Sequence, residues 1–137
     1  MLLKPYFFLL VLGYSLVANA QDNWDFAAPH KDRCSIGTML DMTRCLEKEL
    51  RATEKRLDSE YHSLSRSLKS AEPLESAQAA WLRFRELECN YATSGIGKSG
   101  SLYPYAQIAC KIDLNEKRIR DLRRYSSWDG AGAPQRK

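Results

Sequence analysis

The strongest constraint on the fold is a run of apolar positions that recurs every three or four residues over more than twenty-five residues. Its members are Met42, Leu46, Leu50, Thr53, Leu57, Tyr61, Leu64 and Leu68. This spacing repeats about every seven residues, so it places all of these side chains on one face of a single helix. Thr38 or Asp41 can cap the beginning of that helix. The pattern therefore predicts a long first helix with one buried face.

A second helix is predicted from about residue 73 to residue 92. Pro73 suits a first helical turn, where the missing N–H costs nothing. The residues from 78 to 89 are strong helix formers, and Trp81 is the expected core anchor. Arg85 and Cys89 follow it on the same side, one turn apart. Helical spacing also places an overlapping set on one face: Leu74, Ala77, Trp81, Phe84 and Glu88.

A glycine- and serine-rich segment, residues 95–101, breaks the second helix, and a third begins near Pro104 and ends around Tyr125. The apolar face of the third helix consists of Tyr105, Ile108, Ile112, Ile119 and Leu122. Asn115 lies in the middle of that face and must find a partner, because an unpaired buried amide is costly. No segment alternates with the period of a strand. The predicted fold is an all-α antiparallel three-helix bundle with one long helix.

The N-terminus has the three parts of a secretory signal peptide. Lys4 precedes an apolar run from Tyr6 to Val17, and the sequence Ala-Asn-Ala at 18–20 matches a cleavage site. We expect residues 1–20 to be removed and the mature chain to be periplasmic or secreted. Gln21 would then be the first residue, with no cysteine there to accept a lipid, so no membrane anchor is expected in the mature chain. Residues 21–33 are interpreted as an extended arm, 34–125 as the helical domain and 126–137 as a disordered tail.

All four cysteines follow the predicted cleavage site. An even number of cysteines in an oxidising compartment predicts two disulfides, which can be paired in three ways. We favour Cys34–Cys45 and Cys89–Cys110, because the second pair lies at the joined ends of two consecutive helices. Two disulfides would then stabilise a small domain.

Charge and motifs argue against several classes of protein. The 21 basic and 17 acidic residues are interleaved along the helices, so no nucleic-acid-binding patch is expected. His30 and His62 lack the spacing of a zinc site, and Glu86 and Glu88 diverge on a helix, so they cannot act together on a glycosidic bond. The glycine spacing at 95, 97 and 100 matches a dinucleotide fingerprint, but a helix precedes it where a strand is needed. We therefore expect no metal, no cofactor and no enzymatic activity.

A binding function remains, and the loop between the second and third helices has a composition that favours it. Serine, glycine and tyrosine provide adaptable hydrogen bonds and rigid aromatic contacts, and the predicted disulfide would hold the base of the loop. The candidate partner-binding residues are Lys98, Ser99, Ser101 and Tyr103. Alternatively, Tyr103 and Tyr105 only cover the end of the bundle.

The central motif is Ala77-Gln78-x-Ala80-Trp81-Leu82-x-Phe84-Arg85-x3-Cys89, in register with the flanking cysteines. With it, residues 34–125 resemble the LprI-like lysozyme inhibitor family of bacterial envelope proteins. The resemblance implies an exported helical domain with two disulfides that binds and inhibits lysozyme or another peptidoglycan-cleaving enzyme. In this interpretation Gln78, Trp81, Phe84 and Arg85 are structural. Alternatives are a structural or assembly accessory of the envelope and, less favoured, a hydrolase; the oligomeric state stays open.

Overall fold

The computed structural model describes residues 33–137 and contains three helices in that range. They are α1 (Met39–Ser67), α2 (Glu72–Ala92) and α3 (Leu102–Ser127). The predicted all-α three-helix fold is confirmed, with boundaries within two residues of those expected. The predicted signal peptide, nearly all of the predicted arm and His30 lie outside the described residues, so those expectations stay predictions.

The beginning of α1 uses both predicted capping residues together. The Asp41 backbone N–H donates to the Thr38 hydroxyl, and the Thr38 backbone N–H donates to the Asp41 carboxylate at 3.0 Å, which forms a reciprocal capping box. The Thr38 hydroxyl also donates to this carboxylate at 2.6 Å, and the hydrogen bonds from the Thr38 side chain and backbone lower the pKa of Asp41. Gly37 precedes the cap with a φ of 102°, a conformation that favours glycine.

The helices run up, down and up. Contacts between α1 and α3 advance together along both helices, from Thr53 with Asn115 to Glu60 with Arg123, so these two helices are parallel. The helix α2 runs the opposite way, because its late residue Cys89 meets the early residue Cys110 of α3. The helices α1 and α3 form the main packed pair, and α2 lies chiefly against α3.

The core consists of two hydrophobic clusters along the α1–α3 pair. The cluster near the start of α1 contains Cys34, Leu46, Ala109 and Ile112. The other contains Leu57, Leu64, Leu68, Ile119 and Leu122, and Trp81 of α2 packs against it. Two polar residues that are fully buried, Thr53 and Asn115, lie between the clusters. A polar layer of this kind fixes the register of the helices, because any slip would leave its groups unpaired.

Both favoured disulfides are present. Cys34 and Cys45 are joined with a Cα–Cα distance of 5.5 Å, and Cys89 and Cys110 with one of 5.7 Å. The first attaches the segment before α1 to its second turn, and the second connects the end of α2 to α3. The described residues hold no free cysteine.

The C-terminal segment, residues 128–137, differs from the disordered tail expected from its glycine and proline content. The Lys69 backbone N–H donates to the Gln135 carbonyl, and the Lys137 N–H donates to the Ser67 carbonyl, both at 2.9 Å. The Arg136 guanidinium donates to the backbone carbonyl of Tyr125. Backbone pairing with the α1–α2 connection thus gives the segment a defined path.

Candidate partner-binding site

The central sequence motif forms a stacked arrangement on the inner side of α2. The guanidinium carbons of Arg85 and Arg118 lie 5.8 Å and 5.7 Å from the centre of the Trp81 ring, within the range of cation–π attraction. Arg118 Nε also donates to Gln78 Oε1 at 3.0 Å. Burial lowers the pKa of Arg118, although Tyr125 and Asp121 act in the opposite direction. Gln78 and Trp81 therefore attach α2 to α3 through a largely buried arginine.

Arg85 extends the polar layer of the core to all three helices. Its Nη1 donates to Asn115 Oδ1 of α3 at 2.9 Å, and Asn115 Nδ2 donates to Thr53 Oγ1 of α1 at 3.1 Å. Arg85 also forms ion pairs with Glu54 and Glu86. The expectation that Asn115 needs a partner is confirmed. Buried charged groups that are hydrogen-bonded in this way specify an arrangement more than they add stability.

Phe84, the remaining residue of the structural set in the motif, lies on the outer side of α2, where 48% of its surface is exposed. This differs from the predicted face that grouped Ala77 and Phe84 with Trp81. Ala77 and Ala80 are also exposed, so helical spacing continues along a separate outer row. We call this row the outer stripe of α2: Ala77, Ala80, Phe84, Leu87 and Tyr91. Leu87 and Tyr91 are 59% and 77% exposed.

The outer stripe ends next to a loop, residues 94–101, whose base is held firmly. The Cys89–Cys110 disulfide closes it, and Gln107 Nε2 of α3 donates to the Cys89 carbonyl at 3.0 Å and to Thr93 Oγ1 at 2.6 Å. Thr93 is fully buried, and its hydroxyl donates a hydrogen bond to the same Cys89 carbonyl. Gln107 was not identified from the sequence, since a polar residue in a predicted helix has no local signature of such a role.

The candidate binding residues divide into two groups. Lys98, Ser99 and Ser101 are exposed on the loop. Tyr103 is half-buried, and its hydroxyl accepts a hydrogen bond from Gln107 at 3.3 Å. Tyr103 thus lies at the base of the loop, while the other three residues are exposed.

The loop and the helix ends beside it carry a single charged side chain. Lys98 is the only charged residue from Cys89 to Cys110. Its neighbours in the loop are small, and a side chain added at Gly95 or Gly97 would meet nothing within 4 Å. The loop therefore presents one cation on a narrow, open segment above a cross-linked base.

A concave site lies at the opposite end of the bundle. It is an apolar cavity of about 560 Å³ between the α1–α2 connection and the C-terminal segment. Its lining consists of Leu64, Leu68, Lys69, Ser70, Pro73, Leu74, Tyr125, Trp128, Gly132, Pro134 and Gln135. Among these lining residues there is no carboxylate and no imidazole.

Residues 33–137 contain one histidine, His62. His62 is exposed and lies 3.3 Å from Asp58, one turn earlier on α1. Within residues 33–137 no group of three or more histidine, cysteine or acidic side chains could hold a metal ion. Across the same residues, no helix combines the length and the apolar character needed to cross a membrane.

Comparison with known proteins gives a family and a distant relative. The family model described as "Lysozyme inhibitor LprI" matches residues 31–122. An uncharacterized protein of Rhizobium meliloti is 24% identical, in an alignment covering 83% of this chain and 88% of the relative. No solved structure matches the chain significantly.

Proposed function

Because the chain belongs to the LprI lysozyme inhibitor family, we propose that it is an exported inhibitor of lysozyme or of another peptidoglycan-cleaving enzyme, acting by binding and without catalysis of its own. The two disulfides fit a protein that works in an oxidising compartment, the periplasm or the exterior. The proposed contact is the 94–101 loop, which enters the cleft of the enzyme.

One observation carries the choice of that loop: Lys98 is the only cation on a slender segment whose base is cross-linked. Glycoside hydrolases cleave their substrates between two carboxyl groups that line a cleft. A narrow loop with one ammonium group complements such a cleft in shape and in charge. The disulfide and the Gln107 hydrogen bonds reduce the entropy lost when the loop is immobilised.

The charge of the whole chain supports a local contact over long-range attraction. A formal net charge of +4 gives no electrostatic steering toward a basic enzyme. The affinity must then come from direct contacts between the loop and the cleft of the enzyme. A charged group buried next to an opposite charge changes the dissociation rate more than the association rate.

The test is lysis of peptidoglycan by animal-type and bacterial lysozymes, with oxidised mature protein (residues 21–137) added in increasing ratio. We expect inhibition that saturates near one inhibitor per enzyme. Lys98→Glu should raise the inhibition constant by at least about tenfold, since it places a like charge against the carboxylates. Tyr103→Phe should change it little, because the ring still packs at the base of the loop.

Lys55→Glu on α1 is the matched control, because Lys55 is also exposed but lies far from the loop. It makes the same change in net charge and should leave inhibition unchanged. Equal effects of the two reversals would mean that overall charge, and not the loop, determines binding. An absence of inhibition for every lysozyme would favour the envelope accessory instead.

A further inference from the structure

The outer stripe of α2 is an apolar surface that the helical bundle does not use. Its larger members, Phe84, Leu87 and Tyr91, are 48%, 59% and 77% exposed. With Ala77 and Ala80 they repeat at intervals of three and four residues, the spacing of a coiled-coil seam. The stripe covers about 20 Å of helix at 1.5 Å per residue. Rows of exposed apolar side chains of this kind mark sites of association.

Charged residues on either side of the stripe indicate what covers it. In heptad positions, Ala77, Phe84 and Tyr91 occupy a, and Ala80 and Leu87 occupy d. Arg83 then occupies position g of one heptad. Glu88, five residues later, occupies position e of the next heptad. In two parallel helices, a g side chain faces the e side chain five residues on in the partner helix.

Arg83 of one copy would therefore face Glu88 of a second copy, and two-fold symmetry would repeat the pair. Neither residue forms an ion pair among residues 33–137 of its own chain. An antiparallel arrangement would bring g positions together with g positions, where Arg83 would face Ser76, Asn90 or the like-charged Arg83 of the second copy. The opposite charges thus favour the parallel arrangement.

We propose that the chain forms a parallel homodimer through the outer stripe of α2, with reciprocal Arg83–Glu88 pairs along its edges. One seam of three to four turns is at the lower end of the size range of specific interfaces, so a dissociation constant on the order of 10 µM is expected. The parallel arrangement places both 94–101 loops at the same end of the dimer. This inference is independent of the proposed inhibition.

The first experiment is sedimentation equilibrium of oxidised mature protein from roughly 1 to 200 µM, a range that brackets this constant. The monomer should convert to a dimer as the concentration rises. Leu87→Glu should raise the dissociation constant roughly a hundredfold, because it buries two unpaired carboxylates. Leu40→Glu is the matched control, since Leu40 is 57% exposed on α1 and lies outside the stripe; it should leave the dimer intact.

The second experiment tests the orientation. Arg83→Glu alone and Glu88→Arg alone should each weaken the dimer by about fivefold, since like charges then face each other twice. The double variant Arg83→Glu/Glu88→Arg should restore the original constant. Failure of this rescue would overturn the parallel arrangement.

Two other outcomes would overturn the dimer itself. The first is a monomer at all concentrations. The second is a dimer that Leu87→Glu leaves unchanged, which would place the interface elsewhere. If the protein is a monomer and Leu87→Glu also abolishes lysozyme inhibition, the stripe would be assigned to the enzyme. None of the sedimentation results depends on whether the chain inhibits lysozyme.

Discussion

The two faces of α2 reverse the usual distribution of polar and apolar side chains. The inner face carries Gln78 and Arg85, which are largely buried and hydrogen-bonded to α3. The outer face carries Leu87 and Tyr91, which are mostly exposed. Hydrogen bonds, stacking on Trp81, one disulfide and the packing of Leu74 and Trp81 on the core attach this helix to the bundle. Within the described residues, the apolar side chains of the outer stripe are left exposed.

This difference predicts unequal effects for the two aromatic residues of the motif. Trp81→Ala removes a ring that packs on the core and on two guanidinium groups, and should lower the free energy of unfolding by about 3–5 kcal/mol. Phe84→Ala removes an outward side chain and should change it by less than about 0.5 kcal/mol. Urea unfolding of the oxidised protein at low concentration, where the monomer predominates, measures both. Similar losses for both variants would contradict the inner and outer assignment.

The polar layer offers a second, smaller test of the inner face. Asn115→Leu removes one acceptor of Arg85 and the donor to Thr53. It should cost about 2–3 kcal/mol, because a largely buried charged donor loses one of its partners and keeps only its ion pairs with Glu54 and Glu86.

The paired variant Arg85→Met/Asn115→Leu provides the control for that result. Replacing both partners by apolar groups leaves fewer unsatisfied groups, so the double variant should cost less than the sum of the two single variants. A double-mutant cycle of unfolding free energies measures the coupling. Additive losses would mean that Arg85 and Asn115 stabilise the fold separately.

The edge of the inner face should show a small dependence on pH. Burial acts to raise the pKa of Glu86, but Lys111, at 2.7 Å, and Arg85 outweigh it, so the net effect lowers that pKa. A carboxyl group with a lowered pKa in the folded state stabilises the fold above its unfolded pKa, and this contribution is lost as the pH falls through the folded pKa. Because the side chain is 47% exposed, the contribution should be only a few tenths of a kcal/mol.

Glu86→Gln should therefore reduce the difference in unfolding free energy between about pH 7 and about pH 3. Glu75→Gln, at an exposed position of the same helix, is the matched control and should leave that difference unchanged. An equal reduction in both variants would indicate a general effect of acidic charge on α2.

Features that depend on neighbouring residues were predictable from the sequence. The seam from Met42 to Leu68 located α1, and the cap at Thr38 and Asp41 formed because its partners are three residues apart. The pairing of Cys89 with Cys110 followed from helices joined by a short loop. These features follow from local geometry, so they can be predicted from a single sequence.

The orientation of α2 was predictable only in part. Two overlapping rows share helical spacing, one through Trp81 and Arg85 and one through Ala77 and Phe84. Counting apolar residues favours the second row, whereas the structure buries the first. The deciding interactions, from Arg85 to Asn115 and from Gln78 to Arg118, join residues thirty or more positions apart. The spacing of residues within one helix cannot reveal these interactions between helices.

The same limit explains the ends of the molecule. The C-terminal segment has the composition of a disordered tail, but its backbone pairs with residues 67 and 69, far away in sequence. In the candidate site, the composition of the loop indicated its exposed residues, including Lys98. The role of Tyr103 depended on Gln107 of α3, which composition could not reveal.

The disulfide between Cys89 and Cys110 makes the bundle tolerant of changes in the loop that it closes. A cut within residues 94–101 would leave both fragments covalently joined, so a nicked chain would keep its bundle. Substitutions at Gly95 or Gly97 would enter open space. The sequence of this loop can therefore change while the framework that carries it stays the same.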